Sequence, residues 1–250
     1  MKTSKVNDIP FPQEPLWKET LDVLNEAENV DVLTDPKALE RILHFNSKET
    51  RTRYGRAMAT RFARLEGPTL KGLFDIVKSN TSRTTTEAIW RVLFCMVEPV
   101  VAQTYLEIIW PREPGSAITR NEIRSYVETA FKQESSKLNT RLVNCLKQAG
   151  YILPQGKDNL IVVGFGELEE ALILATHLLF AQSPKTIKLS AIETSNYWRF
   201  LGYRKFGHVK VGFRSAEAKG LLERYAVVDH LEQITTRYLW PELLSKGKNK

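Results

Sequence analysis

Apolar residues recur along most of this chain at intervals of three and four, the spacing that places them on one side of an α-helix. Residues 1–15 break the pattern with three prolines and few apolar anchors, and read as an extended, mobile lead. Trp17, Leu21 and Leu24 then open a run of short helices over 16–45, with Asp35-Pro36 placed to start the second. Asn46-x-x-Glu49 has the form of a capping box with Asn46 as N-cap. The helix it predicts runs from 47 to about 66, carries an apolar stripe of Tyr54, Met58, Phe62 and Leu65, and is stopped by Gly67-Pro68. A shorter helix follows over 69–79, then a polar loop over 80–86. Residues 87–109 are apolar nearly all round, which predicts a buried central helix kinked at Pro99. Pro111, Pro114 and Gly115 mark a boundary.

Beyond that boundary the order of elements changes. Thr119 and Glu122 form a second capping-box pattern that Ile118 and Ile123 are spaced to staple. Ile123, Val127, Ala130 and Phe131 give one helix, a turn around Glu134-Ser135-Ser136 leads to another over 136–149, and Gly150 is placed to end it. Tyr151-Ile-Leu and Leu160-Ile-Val-Val163, separated by Gln155–Asn159, read as a β-hairpin. Helix, turn, helix, hairpin is the order of a winged helix. An apolar helix over 167–182 precedes what looks like the same order again. Ser195–Leu201 and 208–219 are candidate helices, and Glu217–Leu222 echoes Lys147–Ile152. Arg224–Val228 and Leu231–Leu239 can pair about Asp229-His230, unless 229–239 is helical. The tail Ser245–Lys250 is basic and expected to fray. The fold class expected is mainly α: a helical bundle over 16–112, a winged-helix-like α+β module over 116–165, and a C-terminal domain over 166–245 that suggests a second one.

Charge sharpens this picture through its arrangement. The chain of 250 residues carries a net +7. Residues 1–40 hold nine acids against four lysines, a balance of −5, so the remainder carries +12. A basic body behind an acidic first 40 residues points to a phosphate-rich partner or an anionic membrane; the alternative is a soluble protein that happens to be basic. Three segments carry the point.

Arg51, Arg53, Arg56, Arg61 and Arg64 fall in a stretch without an acid, and Arg53, Arg56, Thr60 and Arg64 share a helical side. Such a row repels itself unless neutralised, and DNA phosphates neutralise it with release of counterions. The alternative is a solvated row paired with the acids of 14–40.

On the 136–149 helix, Lys137, Arg141, Asn144 and Gln148 lie opposite the apolar side, flanked by Ser136, Thr140 and Lys147. Lysine and arginine suit phosphates, and asparagine or glutamine can pair with adenine edges. Lys157 falls at the tip of the hairpin. The alternative is the soluble side of an amphipathic helix, or a winged helix used for protein contact.

Residues 197–214 interleave Arg199, Arg204, Lys205, Lys210 and Arg214 with six aromatics. Basic residues among aromatics can bind single strands by stacking, although aromatics at this density also build small cores.

Enzyme signals are weak. Gly164-Phe-Gly166 lacks the third glycine of a dinucleotide loop, no phosphate-binding loop occurs, and His44, His177, His208 and His230 are scattered. Cys95 and Cys145 sit in apolar helical patterns and read as buried thiols of a reducing cytoplasm. No metal, no cofactor and no catalytic residue is expected. No uncharged apolar run approaches the roughly 20 residues of a membrane span, so no membrane association is expected either.

The spacing also resembles a known family. A helix over Lys48–Leu65 with an arginine-rich end, a buried helix, Tyr105-Leu-Glu-Ile-Ile109, the segment Ser136–Leu146 and Ala149-Gly150-Tyr151-Ile152-Leu153 occur in the order seen in BrxA, a small component of bacterial BREX phage-defence systems. Ser136, Thr140, Leu146 and Ala149-Gly150 match the family pattern. Where the family has Trp before the serine, this chain has Glu134-Ser135. The resemblance spans about residues 30–165. It implies a helical bundle likened to the antitermination protein NusB, binding of double-stranded DNA without catalysis, and other phage-defence proteins as partners. Three functions fit these features: a DNA-binding accessory protein, an RNA-binding protein of NusB-like type, and a scaffold whose winged helices dock proteins.

Overall fold

The computed structural model describes residues 12–79, 81–132 and 135–246. Most of the expected lead (1–11), Asn80 of the polar loop, Glu134 of the turn before the second helix, and 247–250 of the tail lie outside the described residues. The structure is mainly helical, with two small antiparallel sheets of three strands each among the described residues. It divides into two compact units, neither of them a consecutive stretch. One takes the chain up to Lys18 and Phe94–Gly164, the other Glu19–Leu93 and Phe165 onward. Residues 16–112, read above as one bundle, therefore contribute to both. Two helices, α1 (Trp17–Glu26) and α5 (Arg83–Val97), run from one unit into the other.

In the first unit, α5 ends at Val97 and Pro99 opens a new helix, α6 (Pro99–Thr104), rather than kinking a continuous one. Proline lacks the amide that an interior turn needs but is preorganised for a first turn. A π-turn over Tyr105–Ile109 follows, closed by Trp110 N–H donating to the Tyr105 carbonyl at 2.7 Å. The Tyr105 ring stacks on Tyr151 at 3.8 Å between centroids.

Strand β1 (Ala117–Thr119) then leads into α7 (Arg120–Phe131) through the predicted capping box. The Thr119 hydroxyl accepts from Glu122 N–H at 3.1 Å, and the Glu122 carboxylate accepts from Thr119 N–H at 2.7 Å. Ile118 and Ile123, the predicted staple, are both fully buried. Next comes α8 (Ser136–Gln148), capped by Ser135. It ends as Gly150 predicts: at φ +81°, Gly150 N–H donates to Lys147 O at 3.0 Å and Tyr151 N–H to Leu146 O at 2.9 Å.

Strands β2 (Ile152–Gln155) and β3 (Asn159–Val162) form the hairpin, and β1 adds to β3, giving the order β1-β3-β2. Pro154 is tolerated because β2 is an edge strand. Strand β1 is missing from the sequence reading; three residues are too few to show a period. Ile123, Val127, Phe131, Leu142, Leu146, Ile152 and Leu160 close the core beneath both helices.

In the second unit, α2 (Pro36–Ile42) is capped by Asp35, as Asp35-Pro36 predicts. The cap of α3 (Lys48–Phe62) is Ser47 rather than Asn46; the Ser47 hydroxyl accepts from Thr50 N–H. That helix stops at Phe62, and Gly67-Pro68 opens α4 (Gly67–Lys78) instead of closing α3. Residues 83–86, expected in a loop, form the first turn of α5, with Thr85 N–H held by the Ser82 hydroxyl.

The apolar helix α9 (Glu169–Phe180) is buried along most of its length. After it come β4 (Thr186–Lys188), α10 (Leu189–Thr194), α11 (Tyr197–Phe200), α12 (Phe206–Ala218), β5 (Leu222–Val228), β6 (Leu231–Thr236) and α13 (Trp240–Lys246). The hairpin turns on Asp229 and His230, both at positive φ, so 229–239 is not helical. Sheet order is β4-β6-β5. Strand–helices–strand–strand with the third strand central thus occurs once in each unit. The predicted echo at Gly220 holds in detail: Gly220 N–H donates to Glu217 O and Leu221 N–H to Ala216 O, each at 2.8 Å.

Candidate nucleic-acid interface

Helix α8 buries Leu142, Val143, Cys145 and Leu146 and turns Ser136, Lys137 and Thr140 to solvent, with Asn144 and Lys147 half-buried beside them. These five residues share one side of the helix. Among the described residues no ion pair forms at Lys137 or Lys147. Gln148 is exposed, and its side-chain oxygen accepts from Trp17 N–H at 3.0 Å. The Arg141 guanidinium lies 3.8 Å from the Glu14 carboxylate. The Cys145 thiol reaches the Gln13 carbonyl. Residues 13–17 thus run along one flank of α8. Arg141 and Gln148, expected in the binding row, are engaged by this segment, Arg141 half-buried and Gln148 still exposed.

The hairpin stands next to α8, and Lys157 at its tip is exposed. Arg120, which the sequence reading passed over, joins the hairpin to α7. Its backbone N–H donates to the Asp158 carbonyl at 3.0 Å and its Nε to the Lys157 carbonyl at 3.1 Å. The only sequence signal for this was its position, first after the cap. Glu122 of the capping box is held below the usual carboxylate range, chiefly by the Thr119 N–H and then by Arg112. The cap therefore stays charged well below neutral pH.

On α3 the arginines divide. Arg53 and Arg56 are exposed on one side with Thr60, as expected, while Arg64 is exposed in the turn after the helix, and the Arg53 guanidinium lies 4.7 Å from the Tyr54 ring centre. Arg61 is buried, at 2% exposure, and is not available to a phosphate. Arg51 turns inward and donates to the Phe45 and Asn46 carbonyls. Two of the five are structural because the helical period carries them to the packed side; sequence spacing alone showed the row and not its registry against α2.

The block 197–214 is corrected more fully. Tyr197, Trp198, Phe200, Tyr203 and Phe213 are buried and build the core of their unit, which removes the stacking platform. Lys210 pairs with the Glu232 carboxylate, which also accepts from the Tyr225 hydroxyl at 2.7 Å. The bond from Lys210 and then that from Tyr225 hold Glu232 below the usual carboxylate range. The Arg214 guanidinium sits over the Tyr225 ring at 4.9 Å, and Arg199 over Trp198 at the same distance. Arg204 is half-buried and Lys205 exposed. On α12 the outward side comprises Gly207, His208, Val211, Arg214 and Ala218, with no lysine where α8 has two. At the far end of this hairpin Val227, Val228 and Leu231 are all at least half exposed.

Among the described residues no group of three or more His, Cys, Asp or Glu side chains is placed to hold a metal ion. No single helix among them is long and apolar enough to cross a membrane. No family model, no curated protein and no solved structure matches this chain.

Proposed function

We propose that this chain is a non-catalytic, double-stranded-DNA-binding accessory protein built on two winged-helix modules. One observation carries the reading: a helix side of Ser136, Lys137, Thr140, Asn144 and Lys147 lies beside a hairpin tipped by Lys157. A duplex major groove admits a helix, and lysines on its rim neutralise phosphates while an amide reaches base edges. The order β1-β3-β2 around α7 and α8 is that of a winged helix, and the order β4-β6-β5 repeats it. Arg53, Arg56 and Arg64 supply a second cationic row on the other unit. With few base contacts against many cations, binding is tolerant of sequence and steep in salt. The resemblance in spacing over about 30–165 favours a role in a phage-defence system of the BREX kind.

A second reading applies to the second module. Its outward helix side carries no lysine, its hairpin exposes Val227, Val228 and Leu231 beside the Asp229-His230 turn, and Lys210 and Arg214 are engaged within the chain. That composition favours protein docking over phosphate binding, so the two modules divide the work.

Titration of a labelled duplex at two salt concentrations, with single-stranded DNA and RNA as competitors, tests the first reading. Duplex preference with strong weakening by salt is expected. Absence of binding at low salt leaves only the docking role.

A further inference from the structure

A cleft of about 940 Å³ opens between α2 and the start of α3. Lys37 and Arg41 line one wall, one helical turn apart on α2, and Lys48 and Arg51 line the other. The loop Leu43–Asn46 forms the floor. Arg51 fixes that floor by donating to the Phe45 and Asn46 carbonyls. Phe45 is held edge-on against Tyr54 at 5.0 Å. The His44 ring, also lining the cleft, is engaged by the Glu26 carboxylate at 3.0 Å.

Four cations therefore converge on a space lined by a single carboxylate, Glu40. Among the described residues no ion pair forms at Lys37, Arg41, Lys48 or Arg51. Like charges one helical turn apart, such as Lys37 and Arg41, oppose the helix that carries them. The amino end of α3 adds the positive end of a helix dipole to the same wall. This arrangement is stable at small cost in water and becomes favourable once an anion enters.

We propose that this cleft binds a nucleotide through its phosphate. Its volume lies in the range of small-molecule sites and far exceeds that of a bare phosphate. Phe45, half-buried on the floor, supplies an apolar surface for a base, and the cations supply the phosphate contacts. Glu40 supplies the one acidic acceptor, suited to a sugar hydroxyl or a base amino group. The cleft is separate from the arginine row: two residues along α3 turn the helix by about 200°, so Arg51 points away from Arg53. The inference does not rest on the DNA reading. A nucleotide phosphate reaches such a cleft either as a free nucleotide or as the phosphorylated end of a strand.

Calorimetric titration of the full chain with adenosine monophosphate, adenosine triphosphate, inorganic phosphate and short oligonucleotides, with and without a terminal phosphate, tests it. The expected result is saturable binding by a nucleotide or by the terminally phosphorylated strand. The variant Lys37→Ala/Arg41→Ala/Lys48→Ala should weaken it about tenfold or more, whereas Lys188→Ala/Arg224→Ala, remote from the cleft lining, should leave it unchanged. All five side chains are exposed, so the fold survives these changes. Tighter binding by free nucleotides identifies a free ligand, and binding by the phosphorylated strand alone identifies a strand end. No saturable binding by either, or equal binding by the triple variant, overturns the proposal.

Discussion

The Nε of Arg120 donates to the Lys157 carbonyl at 3.1 Å, so the first residue of α7 holds the tip of the hairpin. Its backbone N–H holds the next carbonyl, that of Asp158. The hairpin is thereby fixed to the helix pair, and Lys157 is presented from a braced loop.

Arg120→Ala removes this brace while leaving every α8 side chain in place. The expected loss of stability is about 1 kcal/mol, the net worth of one such bond. Duplex affinity should fall as much as it does in Lys157→Ala. Urea titration and anisotropy binding check the two effects separately.

Gly150→Ala and Gly220→Ala each put a side chain at a left-handed position, φ +81° and +71°. Each should cost about 1–2 kcal/mol, measurable as a drop in the urea midpoint. The echo between the segments that end in these glycines was readable because a helix stop of this kind depends on a residue type at one position. Capping by Thr119/Glu122 was legible for the same reason, whereas the pattern over 229–239 fitted a strand or a helix, and the positive φ of Asp229 and His230 separates them. Strands β1 and β4 were not: each is three residues long and gains its place only by pairing with a distant strand.

Arg61 and Arg56 show where charge pattern stops being informative. Both lie in the same acid-free stretch, yet Arg61 is buried and Arg56 exposed. Arg61→Ala should destabilise the fold by roughly 2–4 kcal/mol through lost packing and the groups it leaves uncompensated. Duplex affinity per folded molecule should not change. Arg56→Ala should leave the melting temperature unchanged and weaken binding. The aromatic block 197–214 is the same lesson on a larger scale, since composition there fits a stacking platform and a core equally well and only burial separates them.

His177 is buried on α9, and burial pushes its imidazole down to about 4. An imidazole that resists protonation in the fold, but not in the unfolded chain, stabilises the fold fully above the unfolded value near 6.5. That stability is lost as pH falls from there toward 4. The shift corresponds to about 3 kcal/mol. Denaturation midpoints measured across this window should fall steadily with pH, and His177→Leu should flatten that part of the curve.

On the proposed function, α8 and its hairpin bind duplex DNA through phosphates. The most direct measurement is duplex affinity as a function of salt for the native chain and for Lys137→Ala/Lys147→Ala. Each lost phosphate contact should reduce the logarithmic salt slope by about 0.9, so the double variant should lose roughly 1.8 and bind more weakly at every salt concentration. A variant with the native slope and the native affinity would rule out phosphate binding by α8.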